Sequence, residues 1–267
     1  NVSFDISNLI DKDKENRLLI NEKKNLEKEK KILSKTKDVK NFEKSKKLSK
    51  EIDKLSKKQL SLKKEIETIL LQIPNIALDD VPIGVDDKSN KIIRKQGTIK
   101  EFDFKIKSHV EIGDVKNEMD FNISSQLSGS RFVVLKNKLA LLERALINFM
   151  IDIHTSKFGY IEVSPPLIVN EEIMIGTGQL PKFEEDQYEV KTQKDEIRKF
   201  LIPTAEVVLT NLVRQSTIEA KDIPLRYVGA TPCFRREAGS YGKDTKGLMR
   251  QHQFYKVELV SIVEPKN

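Results

Sequence analysis

The sequence predicts an α+β chain: an antiparallel helical coiled-coil arm, followed by a largely antiparallel β-sheet domain flanked by helices. Three observations carry this. A seven-residue apolar repeat runs through the first 70 residues, a polar stretch with proline and glycine follows it, and short strand-like runs then alternate with an amphipathic helix.

The second helix of the arm is the clearest element. Leu48, Ile52, Leu55, Gln59, Leu62, Ile66 and Ile69 are spaced alternately four and three apart, which is an a/d seam with Gln59 its one polar member. The first helix is weaker: Leu19, Leu26 and Leu33 recur every seven residues, with polar residues at most positions between. Ser34 to Asn41 is polar apart from Val39, so the chain can reverse there and the two narrow stripes can bury each other. A second helix of about 28 residues makes a rod of roughly 40 Å, too long to lie inside a small core. The helical pattern ends at Gln72-Ile73-Pro74-Asn75, because proline restricts the residue before it and cannot continue a helix. The expected organisation is an arm over 1–78, a linker over 79–95 containing Pro82 and Gly84, and a second domain over 96–267.

In that second domain Leu142, Leu146, Phe149, Met150 and Ile153 keep helical spacing and predict a helix from about Asn137 to Thr155 with this face buried. The run from Gly159 to Val169 reads as a strand broken by Pro165-Pro166, which places it at an edge or an interface. Further strands are expected at Lys199–Ile202, Arg226–Gly229, Thr231–Arg235 and Phe254–Val263.

A chain of 267 residues can bury a sizeable core and fits two domains. Charged residues make up 33% and apolar residues 38%, which separates it from disordered chains. No apolar run approaches the roughly 18 residues a membrane span needs, and no secretory signal opens the sequence. No membrane partner is therefore expected. The single cysteine, Cys233, excludes an intramolecular disulfide and fits a reducing, cytoplasmic setting. The net charge of +7 is concentrated: residues 11–70 hold 20 Lys/Arg against 12 Asp/Glu, and the rest is about neutral. A basic arm suggests a nucleic-acid partner; a lysine-rich helix that is merely solvated is the plainer alternative.

Candidate chemistry concentrates between Phe234 and Glu258. Arg235, near a strand end, presents a fork that pairs two phosphate oxygens. Strand alternation would put Glu237 on the same face. Gly239 and Gly242 flank a turn, Lys243 and Lys246 can reach outer phosphates, and Phe254 can stack on a purine. Glu258, four residues on, shares the face of Phe254 and sits deeper. Such a hairpin suits a polyanionic nucleotide; an exposed basic hairpin around a core phenylalanine is the alternative. His109, His154 and His252 lack metal-ligand spacing, so no metal site is expected, and Cys233 reads as a core residue.

The run Phe234-Arg235-Arg236-Glu237-Ala238-Gly239-Ser240-Tyr241-Gly242-Lys243, closed by Arg250-Gln251-His252-Gln253-Phe254-Tyr255-Lys256-Val257-Glu258, resembles motif 2 of seryl-tRNA synthetases, which are class II aminoacyl-tRNA synthetases. Gly176 to Phe183 and Pro203-Thr204-Ala205-Glu206 are similar to the same family, the latter to its serine-binding loop. Gly159 to Pro166 resembles motif 1, and the N-terminal rod resembles the tRNA-binding arm.

The resemblance implies a class II synthetase-type antiparallel sheet and a two-step reaction. ATP activates L-serine to seryl-adenylate, and the seryl group passes to tRNA(Ser), with tRNA(Sec) a further acceptor. It implies ATP with Mg2+, a homodimer through the motif 1 region, and Arg235 at the α-phosphate as the catalytic residue. The ATP set would be Arg235, Arg236, Glu237, Gln251 and Phe254, with Arg236 standing where the family often has a smaller residue. The serine set would be Thr204, Ala205, Glu206 and Glu258, with Thr204 and Glu206 at the ammonium and Glu258 accepting from the hydroxyl. An inactive RNA-binding relative and an amino acid:carrier-protein ligase are the alternatives. No segment matches motif 3, so the 267 residues are expected to be a piece of a longer frame, inactive alone in serine-dependent ATP–pyrophosphate exchange.

Overall fold

The structure, a computed structural model, describes residues 6–34, 39–112, 117–191, 197–239 and 247–265. It divides into two compact units, Asn1–Thr98 and Ile99–Asn267.

The first unit is a helical hairpin of α1 (Ser7–Leu33) and α2 (Val39–Gln72). Leu19, Leu48 and Leu62 are buried, and the other α2 seam residues Ile52, Leu55, Gln59, Ile66 and Ile69 are half-buried. The α1 stripe proves to be Asn16, Leu19, Lys23, Leu26, Lys30 and Leu33, half of it polar, which explains its faint apolar signal. Ion pairs join Lys12 to Glu65, Glu15 to Lys58 at 2.8 Å and Glu29 to Lys44 at 2.9 Å. One partner's number falls as the other's rises, as antiparallel helices require. The reversal expected between Ser34 and Asn41 concerns mainly 35–38, which lie outside the described residues. At 34 residues α2 spans about 51 Å, longer than the sequence pattern suggests because the helix already begins at Val39. From Ile73 to Thr98 the chain carries a single short helical turn, Asp87–Ser89.

The second unit opens with a two-stranded ladder of β1 (Met119–Asp120) and β2 (Val134–Leu135) around α3 (Phe121–Ser128). Next come α4 (Asn137–Phe158), β3 (Ile161–Glu162), β4 (Ile168–Asn170) and α5 (Glu171–Gly176). The unit continues through β5 (Glu189–Val190), β6 (Lys199–Leu201), α6 (Glu206–Asn211), β7 (Leu225–Phe234) and β8 (Gln253–Ile262). One sheet has the order β3-β7-β8 and another β4-β6-β5. Among the described residues only the β3–β7 pairing is parallel. The proline pair does break the run from Gly159: β3 and β4 lie on edges of different sheets. Val169, Met174, Leu180, Phe200, Ile202, Val207 and Val208 form the core beneath the second sheet.

Two expectations need correction. The two strands expected over 226–235 are one strand, β7, which runs through Pro232. Val228 and Phe234, of the same parity, direct their backbone groups away from β8, to Val163 and Ile202. The nitrogen of Pro232 therefore points away from β8, and β3 reaches only Tyr227 and Val228, so no ladder bond is lost. The second correction concerns α4. Leu142, Leu146, Phe149 and Met150 are exposed, and the helix has no fully buried residue. Its less exposed stripe is Leu139, Glu143, Ile147, Ile151 and His154. Two adjacent stripes both satisfy a 3.6-residue period, and the more apolar one is left uncovered by the described residues.

Candidate active site

The site is built on the β7–β8 hairpin. Gly229 pairs with Glu258, Thr231 with Lys256 and Cys233 with Phe254, so the small members of each pair form a floor beneath the long ones. A Cβ on Gly229 would come within 3.2 Å of the Val163 carbonyl, so that floor position admits no side chain without movement. The segment Pro203-Thr204-Ala205 is tied to the hairpin by Phe234 N–H, which donates to the Ile202 carbonyl at 2.9 Å.

On this face Thr204 is buried, and its hydroxyl donates to Glu258 Oε2. Lys256 donates to Thr204 Oγ1 at 2.9 Å and pairs with the same Glu258 oxygen. The Arg235 guanidinium lies 5.2 Å from the centre of the Phe254 ring, and its Nε donates to the Pro203 carbonyl at 3.2 Å. Glu237 pairs with Arg250 at 3.0 Å, and Arg131 donates to the Glu237 carbonyl at 3.0 Å. Asp186 receives the Ala238 N–H at 2.8 Å and the Arg236 N–H, the latter on its carbonyl. His252 clasps the hairpin: Arg235 N–H donates to its carbonyl at 2.9 Å, and its Nδ1 lies 2.9 Å from the Arg235 carbonyl.

Two cavities adjoin this face. One of about 330 Å3 includes Pro203, Thr204, Glu206, Arg235, Glu237 and Lys256 in its wall. The other, about 430 Å3, is lined by Arg235, Glu237, Leu248, Met249, Arg250, Gln251 and Phe254. Arg235, Glu237 and Arg250 belong to both. Cations paired with carboxylates thus stand at both cavities, Arg250 with Glu237 and Lys256 with Glu258, an arrangement that can orient an amino acid against a phosphate and neutralise charge developing between them.

The sequence-predicted residues divide as follows. Thr204, Glu206, Arg235 and Glu237 line the first cavity, and Arg235, Glu237, Gln251 and Phe254 the second. Ala205 is fully buried and starts α6 rather than lining either. Arg236 is exposed and lines neither cavity. Glu258 touches Lys256 and Thr204 of the first cavity's wall through Oε2 and is itself in neither wall, with its side chain 17% exposed. Glu237 reaches the cavities for a reason other than strand alternation: β7 stops at Phe234, and Glu237 adopts a left-handed φ of 50°. Lys243 and Lys246 lie outside the described residues. Sequence reasoning missed Lys256, Arg250 and Asp186. For Lys256 the signal existed, since 254, 256 and 258 alternate onto one face; Arg250 precedes the strand and Asp186 comes from a distant turn.

Burial pushes the Cys233 thiol up, with the Thr231 hydrogen bond and the Lys256 and Arg235 charges acting against it. Among the described residues no group of three or more His, Cys, Asp or Glu is placed to hold a metal ion, and no helix is long and apolar enough to cross a membrane.

Comparison with known proteins adds a second line of observation. The family described as "tRNA synthetase class II core domain (G, H, P, S and T)" matches residues 188–267. A serine–tRNA ligase of Pelagibacter ubique is 60% identical over 178 residues, 67% of this chain and 42% of that protein. One of Ehrlichia canis is 57% identical over 177 residues, 66% of this chain and 41% of that protein. The chain therefore spans about two fifths of the length of these curated relatives. Among solved structures, the seryl-tRNA synthetase of Pyrococcus horikoshii complexed with ATP superposes with a TM-score of 0.80 at 32% identity, covering 95% of this chain and 62% of that one. The cytoplasmic serine–tRNA ligase of Naegleria fowleri in complex with AMP gives 0.77 at 28%, covering 98% and 61%.

Proposed function

This chain belongs to the seryl-tRNA synthetase family of class II, and on that premise we propose that it forms the serine-activating site of an ATP-dependent serine–tRNA ligase. The observation that carries the reading is the single hairpin face on which Arg235 and Phe254 adjoin the Thr204–Lys256–Glu258 cluster. A nucleotide and a small amino acid can meet there.

In the first step a serine carboxylate oxygen attacks the α-phosphorus of ATP, the bond to the β-phosphate bridge breaks, and pyrophosphate leaves. In the second, a terminal ribose hydroxyl of tRNA attacks the seryl carbonyl and AMP leaves. Arg235 would hold the α-phosphate, Phe254 the adenine, and Glu237, Gln251 and the exposed Arg236 the rest of the nucleotide. Thr204, Ala205 and Glu206 would shape the ammonium subsite, with Glu258 accepting from the serine hydroxyl. Little proton transfer by side chains is needed; positioning and charge neutralisation dominate. Mg2+ would arrive as part of the ATP complex, where it would neutralise phosphate charge.

The basic hairpin α1–α2 supports tRNA(Ser) as acceptor, with tRNA(Sec) a further one. The uncovered apolar face of α4 beside the motif 1 region supports a homodimer. A cytoplasmic setting, where serine, ATP and tRNA are all present, belongs to the same reading. A binding-only relative has no physical need for the cation–carboxylate face, and a carrier-protein ligase has none for a basic arm.

Serine-dependent ATP–pyrophosphate exchange, measured on the full-length protein that carries these residues and not on the 267 residues alone, is the test. R235K is expected to lower kcat by about 100- to 1,000-fold, because a point charge cannot replace a fork aimed at the α-phosphate. Exchange that is absent in the wild type, or untouched by R235K, overturns the proposal.

A further inference from the structure

We propose that Lys256 is a positioning residue that ties Thr204 and Glu258 into one unit and leaves a single Glu258 oxygen open to the substrate hydroxyl. The inference rests on the serine-activating reading of this site and assigns it a specificity device.

The hydrogens in the cluster can be placed one by one. A threonine hydroxyl has one proton and two lone pairs. The Thr204 proton goes to Glu258 Oε2, and one Thr204 lone pair receives Lys256 at 2.9 Å. Thr204 therefore has no proton left to give and one lone pair to offer. Lys256 and Thr204 both engage Glu258 at Oε2, and Oε1 makes no hydrogen bond among the described residues. What Thr204 and Glu258 have left for a ligand is acceptor capacity alone, and Lys256, in the cavity wall, keeps the third of its N–H donors. An ammonium and a hydroxyl, both donors, are the matching groups, and a methyl group matches neither.

Lys256 is the member that makes this arrangement single-valued. Without its ammonium, Thr204 can rotate its hydroxyl elsewhere, and either oxygen of Glu258 can turn to the ligand. The Glu258 side chain is only 17% exposed and that of Lys256 33%, so their charges compensate where water does so poorly. The fixed cluster also changes how alanine is rejected. With Oε2 already satisfied, an alanine leaves one acceptor unpaired, and discrimination depends on Oε1 being held in place.

The experiment compares K256M, K256Q and K256R with the wild type in ATP–pyrophosphate exchange, with L-serine and L-alanine as substrates. K256M is expected to raise the serine KM by roughly 10-fold or more, the scale of one charge-assisted hydrogen bond. It should narrow the serine/alanine ratio of kcat/KM by a similar factor while the ATP KM stays within about 2-fold. K256R should recover most of the ratio, since it restores charge and donors. K256Q keeps a donor without the charge and serves if K256M fails to fold. An ATP KM that rises in step with the serine KM, or an unchanged serine/alanine ratio, overturns the proposal. If the wild type shows no serine-dependent exchange, the enzymatic reading fails separately. The positioning role is then read from the Glu258 carboxyl 13C signal and the Thr204 methyl signal in the chain. Both must move in K256M and return in K256R, and signals that stay put overturn it.

Discussion

The Lys256 ammonium lies 2.9 Å from Thr204 Oγ1 across 52 residues of chain. That contact fastens the segment leading into α6 to the β7–β8 hairpin at the point where both enter the cavity. Because Thr204 is only 4% exposed, T204V leaves Lys256 and Glu258 each short of a partner where water cannot fully replace it. We expect T204V to cost about 1–3 kcal/mol in stability and to weaken serine binding, with T204S restoring both. Denaturant midpoints and serine titration calorimetry check this; a T204V protein of wild-type stability would show that the hydroxyl is not holding the two segments together.

The same cluster shows how far the sequence could be read. The seam of α2 was legible because each of its positions is set by a period that solvent exposure enforces directly. Phe254, Lys256 and Glu258 were equally open to alternation along β8, although the lysine was passed over. The α4 face was not, because its more apolar stripe is not the one turned inward. Counting apolar residues identifies a stripe but not what covers it. Glu237 and Arg250 were beyond any periodic argument, since both follow from a turn that leaves the strand at Phe234.

Gly247 gives a second prediction. Its φ is 73°, and a Cβ there would stand 2.1 Å from His109 Nε2, which accepts the Leu248 N–H at 2.9 Å. Accepting at Nε2 requires the tautomer protonated at Nδ1. G247A is expected to lose on the order of 1–3 kcal/mol through backbone strain and to displace the imidazole. Leu248 and Met249 line the larger cavity, so the ATP KM should rise as well. H109A removes the obstacle but also the acceptor, so G247A and H109A should combine less than additively in thermal melts. Strict additivity would mean that the two residues do not meet.

Acid stability depends on Asp120. It caps α3 by accepting the Ile123 N–H at 2.9 Å and pairs with Lys136 at 2.7 Å. The Ile123 N–H first, and then Lys136, hold its carboxyl below the ordinary value of 3.8. A folded value below the unfolded one contributes stability that is present above the unfolded value and is lost as pH falls through the folded one. D120N keeps an acceptor at the cap but cannot titrate. Its melting temperature should lie below that of the wild type at pH 7, and the gap should narrow progressively as pH falls below the ordinary value of 3.8. A gap of constant size across that range would remove Asp120 from the acid response.

Cys233 responds in the opposite direction. Its side chain is fully buried opposite Phe254, with Thr231 Oγ1 3.6 Å from the sulfur. Burial raises the thiol above its ordinary value of 9.0, more than the neighbouring cations lower it. A raised folded value contributes stability that is complete below the unfolded value and fades as pH climbs through the folded one. The wild type should therefore lose melting temperature above about pH 9 more steeply than C233A. Only the thiolate attacks a disulfide reagent, so labelling at neutral pH has to wait for the hairpin to open. We expect native labelling to be at least about 100-fold slower than in denaturant and to slow further when ATP and serine occupy the face above the sulfur. Labelling at the denatured rate would place Cys233 at the surface and remove the floor on which Phe254 and Lys256 rest.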